Sequence, residues 1–197
     1  MQFLSTAAAA VAAALLPDPF YQAITVDHAG DDARRRSVLC AYMQYALAEA
    51  RQIGLLTLAP DPALGAAAWL IPRNMASDST ATAAKHEFLQ ATLRPLGYDR
   101  YRQIVGFMGP RCSGAVPAGA WYLSIVGVSP AAQGRSVGAG LLAPGLAAAD
   151  SAGVACYLES FSARNPAFYG RLGFQTIATH HEPTTDSAYA IMLRAPR

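Results

Sequence analysis

A chain of 197 residues with 53% hydrophobic content has the length of one domain and ample material for one core. Its formal charge of +2, with no basic stripe interleaved with aromatics, excludes an electrostatic nucleic-acid footprint. Cys40, Cys112 and Cys156 are odd in number and make no CxxC pair, so neither a disulfide framework nor a zinc site is expected, and a reducing cytoplasm is the expected setting.

Residues 4–16, LSTAAAAVAAALL, read as an alanine-rich helix capped by Ser5 or Thr6 and ending before Pro17-Asp18-Pro19. No Lys or Arg precedes this run, as a signal peptide expects, and it is too short to cross a bilayer, so no membrane attachment is predicted. A second helix is expected from Asp31 to Gln52, with Asp31 and Asp32 at its positive end and Val38, Tyr42, Tyr45 and Leu47 at helical spacing. Arg34-Arg35-Arg36 reads as a solvated face, with an anionic partner as the alternative. Gly54–Leu58 and Gly65–Ile71 read as the two strands of a hairpin around Pro60-Asp61-Pro62. A helix capped by Ser79 or Thr80 is expected to run to Leu93 and stop at Pro95 and Gly97, with another over Tyr98–Met108 and a turn-rich loop from Gly109 to Gly119. Lys85, His86 and Glu87 fit ordinary exposed helix positions. With no repeats and no low-complexity linker, residues 1–197 form a single expected domain.

The stretch Trp121–Asp150, WYLSIVGVSPAAQGRSVGAGLLAPGLAAAD, carries the strongest signal. Alternating aromatic and β-branched residues from Trp121 to Val126 predict a buried strand, and Gly127 inside it marks a bulge or a close backbone approach. After Ser129-Pro130, the run Gln133-Gly134-Arg135-Ser136-Val137-Gly138-Ala139-Gly140 leads into an apolar helix carrying Leu141 and Leu142. The first N–H groups of that helix lack intrahelical partners and the helix dipole adds positive charge there, so an anion can bind. Glycines at 134, 138 and 140 remove the Cβ atoms that would hold a phosphate off the backbone. The glycines alone leave open a tight strand-to-helix turn with no ligand. Pro144 is expected to kink the helix. Val154–Ser160 reads as a central strand, and Phe174–Thr179 with Ala188–Leu193 as a hairpin around Pro183–Asp186.

Arg135-Ser136-Val137-Gly138-Ala139-Gly140 matches the (Gln/Arg)-x-x-Gly-x-(Gly/Ala) signature of the GCN5-related N-acetyltransferases. Downstream, Tyr157-Leu158-Glu159-Ser160 and Arg164-Asn165-Pro166-Ala167-Phe168-Tyr169-Gly170-Arg171-Leu172-Gly173-Phe174 continue the likeness in the same order. The chain therefore resembles this family over about residues 119–197, and looks closest to its puromycin N-acetyltransferase branch. The resemblance implies an α/β (α+β) fold: a central mixed, twisted sheet splayed between two parallel strands and flanked by helices. Residues 1–118 would form mainly the acceptor side and 119–197 the acetyl-CoA side. The family normally has a strand before its first helix; here the chain opens directly on that helix, so the usual first strand is either missing or misread.

The resemblance further implies direct acetyl transfer from acetyl-CoA to a primary amine in a ternary complex, with no metal and no acyl-enzyme. The pantetheine arm would lie in a gap near Gly127 and pair with Val126 and Val128. The pyrophosphate would sit over Gln133, Gly134, Arg135, Ser136, Val137, Gly138, Ala139 and Gly140, while Asn165 would bond the amide arm and Phe168 would flank it. Glu159 is the expected base and Tyr169 the expected general acid, with the Val128 N–H on the oxyanion. For Glu159 a structural or ion-paired carboxylate is the alternative, and for Tyr169 a core aromatic. Tyr42 and Tyr45 fall beside the acceptor cleft in the family, although core packing is the stronger expectation for both. The expected partner is a small-molecule amine, with no nucleic acid and no membrane, and the family pattern admits a homodimer. Two alternatives stand: a protein N-terminus or lysine as acceptor, and a non-catalytic acyl-CoA sensor of the same fold.

Overall fold

The computed structural model describes residues 2–72 and 79–197, and of residues 79–81 the backbone alone. Its first element is helix α1, Gln2–Leu15, whose buried face is built from Ala7, Ala8, Val11 and Ala12. Alanine favours the helix and keeps its surface thin, so neighbouring backbones come close. A short helix α2, Pro19–Ile24, follows, its first turn held by Asp18 Oδ1, which accepts from Phe20 N at 2.9 Å. Helix α3, Asp32–Ile53, starts where its acidic residues predict, with Asp31 Oδ1 accepting from Arg34 N. Arg34 and Arg36 are solvated, but Arg35 is not. It folds back to donate to Thr25 Oγ1 at 3.2 Å and Leu16 O at 3.4 Å, tying α3 to the α1–α2 connection.

Strands β1, Gly54–Leu58, and β2, Gly65–Leu70, pair as the expected antiparallel hairpin. The long run α4, Ser79–Ala115, contains one break, at Arg94 (φ 65, ψ 170), immediately before Pro95. Proline disfavours helical geometry in the residue before it, so the expected stop becomes a joint between two limbs. The expected loop after Met108 is wrong: the second limb continues through Gly109-Pro110 to Ala115. Ile104, Met108 and Cys112 recur at four-residue spacing on one buried face, and that packing overrides the two helix breakers. The cap expected from Ser79 or Thr80 lies outside the described residues.

Strand β3, Trp121–Val128, helix α5, Val137–Ser151, strand β4, Cys156–Ser160, helix α6, Asn165–Arg171, and the hairpin β5, Gln175–Glu182, with β6, Ser187–Arg194, complete the chain. The hairpin turns at Pro183–Asp186, as expected. Helix α5 runs through Pro144 with helical backbone angles throughout; Pro144 and Gly140, whose carbonyl the proline leaves unbonded, both face solvent.

The six strands form one mixed sheet in the order β1-β2-β3-β4-β6-β5, with β3 and β4 the parallel pair. Side chains alternate across it: Ala66 and Ala68 face a core built with α1, α3 and α4, while Ala67 and Trp69 face one built with α5 and α6. The first of these helix layers makes one wall of the candidate site, and the second makes another. Arg194, almost fully shielded at the end of β6, ties that strand to α5 by donating to both carboxylate oxygens of Asp150 at 2.7 Å.

Candidate active site

The site begins where the sheet stops pairing. Strands β3 and β4 share only two registered pairs, Trp121 with Cys156 and Tyr122 with Tyr157. From Leu123 onward β3 has no partner on that side, so the opening starts well before Gly127, where the sequence reading put it. Ser124 is bulged out of the β2–β3 register, and its hydroxyl donates to Ala68 O at 3.1 Å. Leu123 before the bulge faces the α5 layer, whereas Ile125 after it faces α1 and α3. Gly127 has a different reason: a Cβ there would lie 2.9 Å from Val11 Cγ1 and 3.0 Å from Val11 Cα of α1. At the strand's end Ser129 N donates to Leu64 O on the β2 side at 2.9 Å. Successive backbone groups of a strand point to opposite sides, so the Val128 N–H points into the opening.

One mouth of this opening is a groove of about 940 Å³. Val126, Gly127, Val128, Gln133, Gly134, Ser136, Val137, Gly138, Ala139, Asn165, Phe168 and Tyr169 all line it, whereas Arg135 and Gly140 are exposed outside it. Gly134 (φ 76) and Ser136 (φ 61) both adopt left-handed backbone to turn the chain into α5. Ser136 makes no side-chain cap, and among the described residues the N–H groups of Val137, Gly138 and Ala139 have no acceptor. They suit an anion such as a pyrophosphate. Gln133 Nε2 donates to Val128 O at 3.2 Å and braces the loop. A Cβ at Gly138 would lie 3.2 Å from Phe168 Cζ, so this glycine admits the Phe168 ring. Asn165 donates from Nδ2 to Ser160 Oγ at 2.8 Å, which leaves its carbonyl oxygen toward the groove wall without a protein partner among the described residues.

The other mouth is a cavity of about 420 Å³ under α2, α3 and α4. Its walls are largely aromatic. Tyr42 and Tyr45 both line it: Tyr42 also packs against the core, as expected, and meets Tyr21 edge-on, whereas Tyr45 stacks on Phe88 with centroids 4.4 Å apart. Tyr122 and Tyr157 stack at 4.7 Å across the last registered pair. Lys85 also departs from its expected exposed role: its Nζ lies 2.8 Å from Glu49 Oε2, and this neutralised pair closes one side of the cavity. Glu159 Oε2 accepts from Tyr122 OH at 3.1 Å, and its buried Oε1 has no partner among the described residues. Burial pushes the Glu159 carboxyl upward, with the Tyr122 hydrogen bond opposing. Burial also pushes the Cys112 thiol up to about 12 and the Cys156 thiol up to about 11, so neither is a thiolate near neutrality.

Leu15, Asp18, Val126, Asn165 and Tyr169 line both the groove and the cavity and form the seam between them. Tyr169 is 6% exposed and held edge-on by Phe168 and Phe174; burial first and the nearby Asp18 charge second raise its phenol, which stays protonated at neutral pH. Asp18 was missed by the sequence reading, which took Pro17-Asp18-Pro19 only as a helix stop. The available signal was an N-cap aspartate set between prolines. Burial lifts its carboxyl to about 6.

No family model matches the chain. Among solved structures, a protein described as histone acetyltransferase HPA2 and related acetyltransferase, from Corynebacterium glutamicum, superposes with a TM-score of 0.63 at 20% identity, over 100% of this chain and 93% of its own. A Drosophila melanogaster polyamine N-acetyltransferase that forms N-acetylagmatine matches at TM-score 0.56 and 13% identity, over 79% of this chain and 81% of its own. An agmatine N-acetyltransferase, in the apo form of a mutant, matches at TM-score 0.56 and 12% identity, over 92% of this chain and 91% of its own. At these identities the shared property is architecture. Among the described residues no helix is long and apolar enough to cross a membrane, and no cluster of His, Cys, Asp and Glu could hold a metal ion. With its mixed sheet opening between β3 and β4 and its helices on both faces, this chain has the fold of the GCN5-related N-acetyltransferases.

Proposed function

We propose that this protein is an N-acetyltransferase that moves the acetyl group of acetyl-CoA directly to a primary amine of a small molecule. The observation that carries the reading is the seam: a backbone-lined groove suited to an anion and a cavity with aromatic walls meet at Tyr169. Acetyl-CoA fits the groove because three unpartnered N–H groups of α5 await a pyrophosphate and the free edge of β3 awaits an extended amide arm. In this reading the Val128 N–H stabilises the oxyanion, Glu159 draws the first proton from the incoming ammonium, and Tyr169 protonates the departing thiolate. A concave cavity of about 420 Å³ with aromatic side chains on its walls supports a small flat amine as the acceptor.

The test is calorimetric titration with acetyl-CoA, followed by a free-thiol assay against a panel of amines that includes puromycin, agmatine and 2-phenylethylamine. Micromolar binding with amine-dependent thiol release is the expected result. Puromycin belongs in the panel because the likeness to that branch rests on the groove side, residues 119–197. Binding without release for any amine would favour the sensor alternative, and no binding would remove the reading.

A further inference from the structure

Glu159 accounts for one proton, yet the acceptor nitrogen must lose two: one as an ammonium before attack and one after the new N–C bond forms. Glu159 lines only the aromatic cavity, with one oxygen engaged by Tyr122. The second proton leaves at the seam, where the nitrogen meets the thioester, and one other carboxylate stands there. Asp18 lines both the groove and the cavity beside Tyr169. Its backbone is fixed by Pro17 and Pro19, and its Oδ1 is fixed by Phe20 N at 2.9 Å. The backbone of Tyr21 also bonds the carboxylate, and among the described residues no side chain and no cation pairs with it.

We propose that Asp18 is a catalytic residue that receives the nitrogen's second proton and returns it to Tyr169, a step that rests on the acetyltransferase reading above. The neutral amine attacks the thioester carbonyl, so the N–C bond forms and the carbonyl becomes an oxyanion. The C–S bond then breaks, and the thiolate takes the Tyr169 proton. The nitrogen gives its remaining surplus proton to the Asp18 carboxylate. The resulting Asp18 carboxylic acid passes that proton to the Tyr169 phenolate, which restores both groups. The net release is the one proton already taken by Glu159, which matches the conversion of an ammonium and a thioester into an amide and a thiol.

The electrostatics agree with this order. Asp18 near 6 is ionised at neutral pH and can accept a proton, yet it is a far stronger acid than the phenol, so the return transfer runs downhill. Tyr21 on α2 and Tyr169 on α6 are the titratable groups whose charge couples to Asp18. The bland role for Asp18 is the cap on α2, and one substitution separates the two. Asp18→Asn keeps a capping oxygen for Phe20 N but cannot take a proton.

In the thiol-release assay, with the best amine of the panel, Asp18→Asn should lower kcat at least ten-fold while the acetyl-CoA KM changes less than two-fold. The component of the acidic limb of kcat near pH 6 that belongs to Asp18 should be absent from Asp18→Asn and persist in Glu159→Gln, whose own component is the one lost there. An unchanged kcat and pH profile in Asp18→Asn, with wild-type thiol release intact, would overturn the role and leave the acetyltransferase reading standing. Absent wild-type release despite acetyl-CoA binding counts against that reading instead. In that case the carboxyl ¹³C resonance of Asp18 is titrated with 2-phenylethylammonium: a shift absent from Asp18→Asn supports the seam position, and no shift overturns it.

Discussion

Replacing Gly127 by alanine probes the packing that holds the two halves of the site together. The new Cβ would lie 2.9 Å from Val11 Cγ1 and 3.0 Å from Val11 Cα. The second contact is with helix backbone, so no rotamer change relieves it, and α1 must move off β3. Overpacking of this kind costs about 1–3 kcal/mol. For a chain of this size, at about 2–4 °C per kcal/mol, Tm should fall by about 2–12 °C. Val11→Ala alone should cost about 1–2 kcal/mol, for two buried methyl groups at about 0.8 each. In the Gly127→Ala background it should cost less, because removing Cγ1 removes the shortest of the three close contacts, at 2.9, 3.0 and 3.1 Å. A double-mutant cycle from urea midpoints at constant m should therefore show coupling above about 0.5 kcal/mol. Because α1 also carries Leu15, which walls both cavities, Gly127→Ala should raise the amine KM as well. Additive single mutants, or a neutral Gly127→Ala, would refute the claim that Gly127 exists to admit α1.

Tyr169→Phe should lower kcat by about ten-fold or more and leave the acetyl-CoA Kd within two-fold; unchanged turnover would reassign Tyr169 to packing against Phe168 and Phe174. Gly138→Val should weaken acetyl-CoA binding about ten-fold or more by calorimetry, since its side chain presses Phe168 and Val128 into the groove; equal affinity would remove the start of α5 from the site. Arg194 holds the Asp150 carboxyl down at about 2, below its unfolded value of about 3.9. A depressed acid stabilises the fold above its unfolded pKa and loses that contribution as pH falls through its folded one. Wild type should therefore lose stability to acid between about pH 4 and 2 through this pair, and Arg194→Met should be the less stable protein at pH 7 by thermal melts, with the difference narrowing in that window. A constant difference across pH would show that Arg194 acts only through Leu172 O and packing.

The shape of the groove side was legible because it is made by backbone. A chain that turns from β3 into α5 with open N–H groups needs small or left-handed residues at defined offsets, and Gly134, Ser136 and Gly138 stand at those offsets. The hairpin of β5 and β6 was legible for the same local reason, its turn being written in Pro183–Asp186. The acceptor side was not. Tyr42 and Tyr45 sit on α3 at spacing that fits a core equally well, and only the placement of α4 across them leaves a cavity instead. That placement depends on the break at Arg94 and on a limb that runs through Pro110, against local propensity. Lys85 met Glu49 across 36 residues, a contact that no local pattern announces. Asp18 failed differently: its side chain has a local function, as a cap, and that function concealed its place at the seam.

The division between a legible and an illegible half also bears on how such a site can change its substrate. The seam draws Asp18 and Leu15 from the start of the chain, Val126 from the open strand, and Asn165 and Tyr169 from α6. None of these is supplied by α3 or α4, which furnish Tyr42, Tyr45, Lys85, Leu89 and Tyr101 to the cavity. Substitutions on α3 and α4 can therefore reshape the cavity while the groups proposed to move protons stay where they are. Glu159 is the exception, because it is both a wall of the cavity and a carboxylate held by Tyr122. A change of acceptor that altered only α3 and α4 should act on the amine KM, whereas one that disturbed the Tyr122–Glu159 hydrogen bond should also lower kcat. Tyr45→Ala against Tyr122→Phe makes that comparison within one cavity. If both move KM alone, the Tyr122 hydrogen bond does not tune the carboxylate proposed to take the first proton.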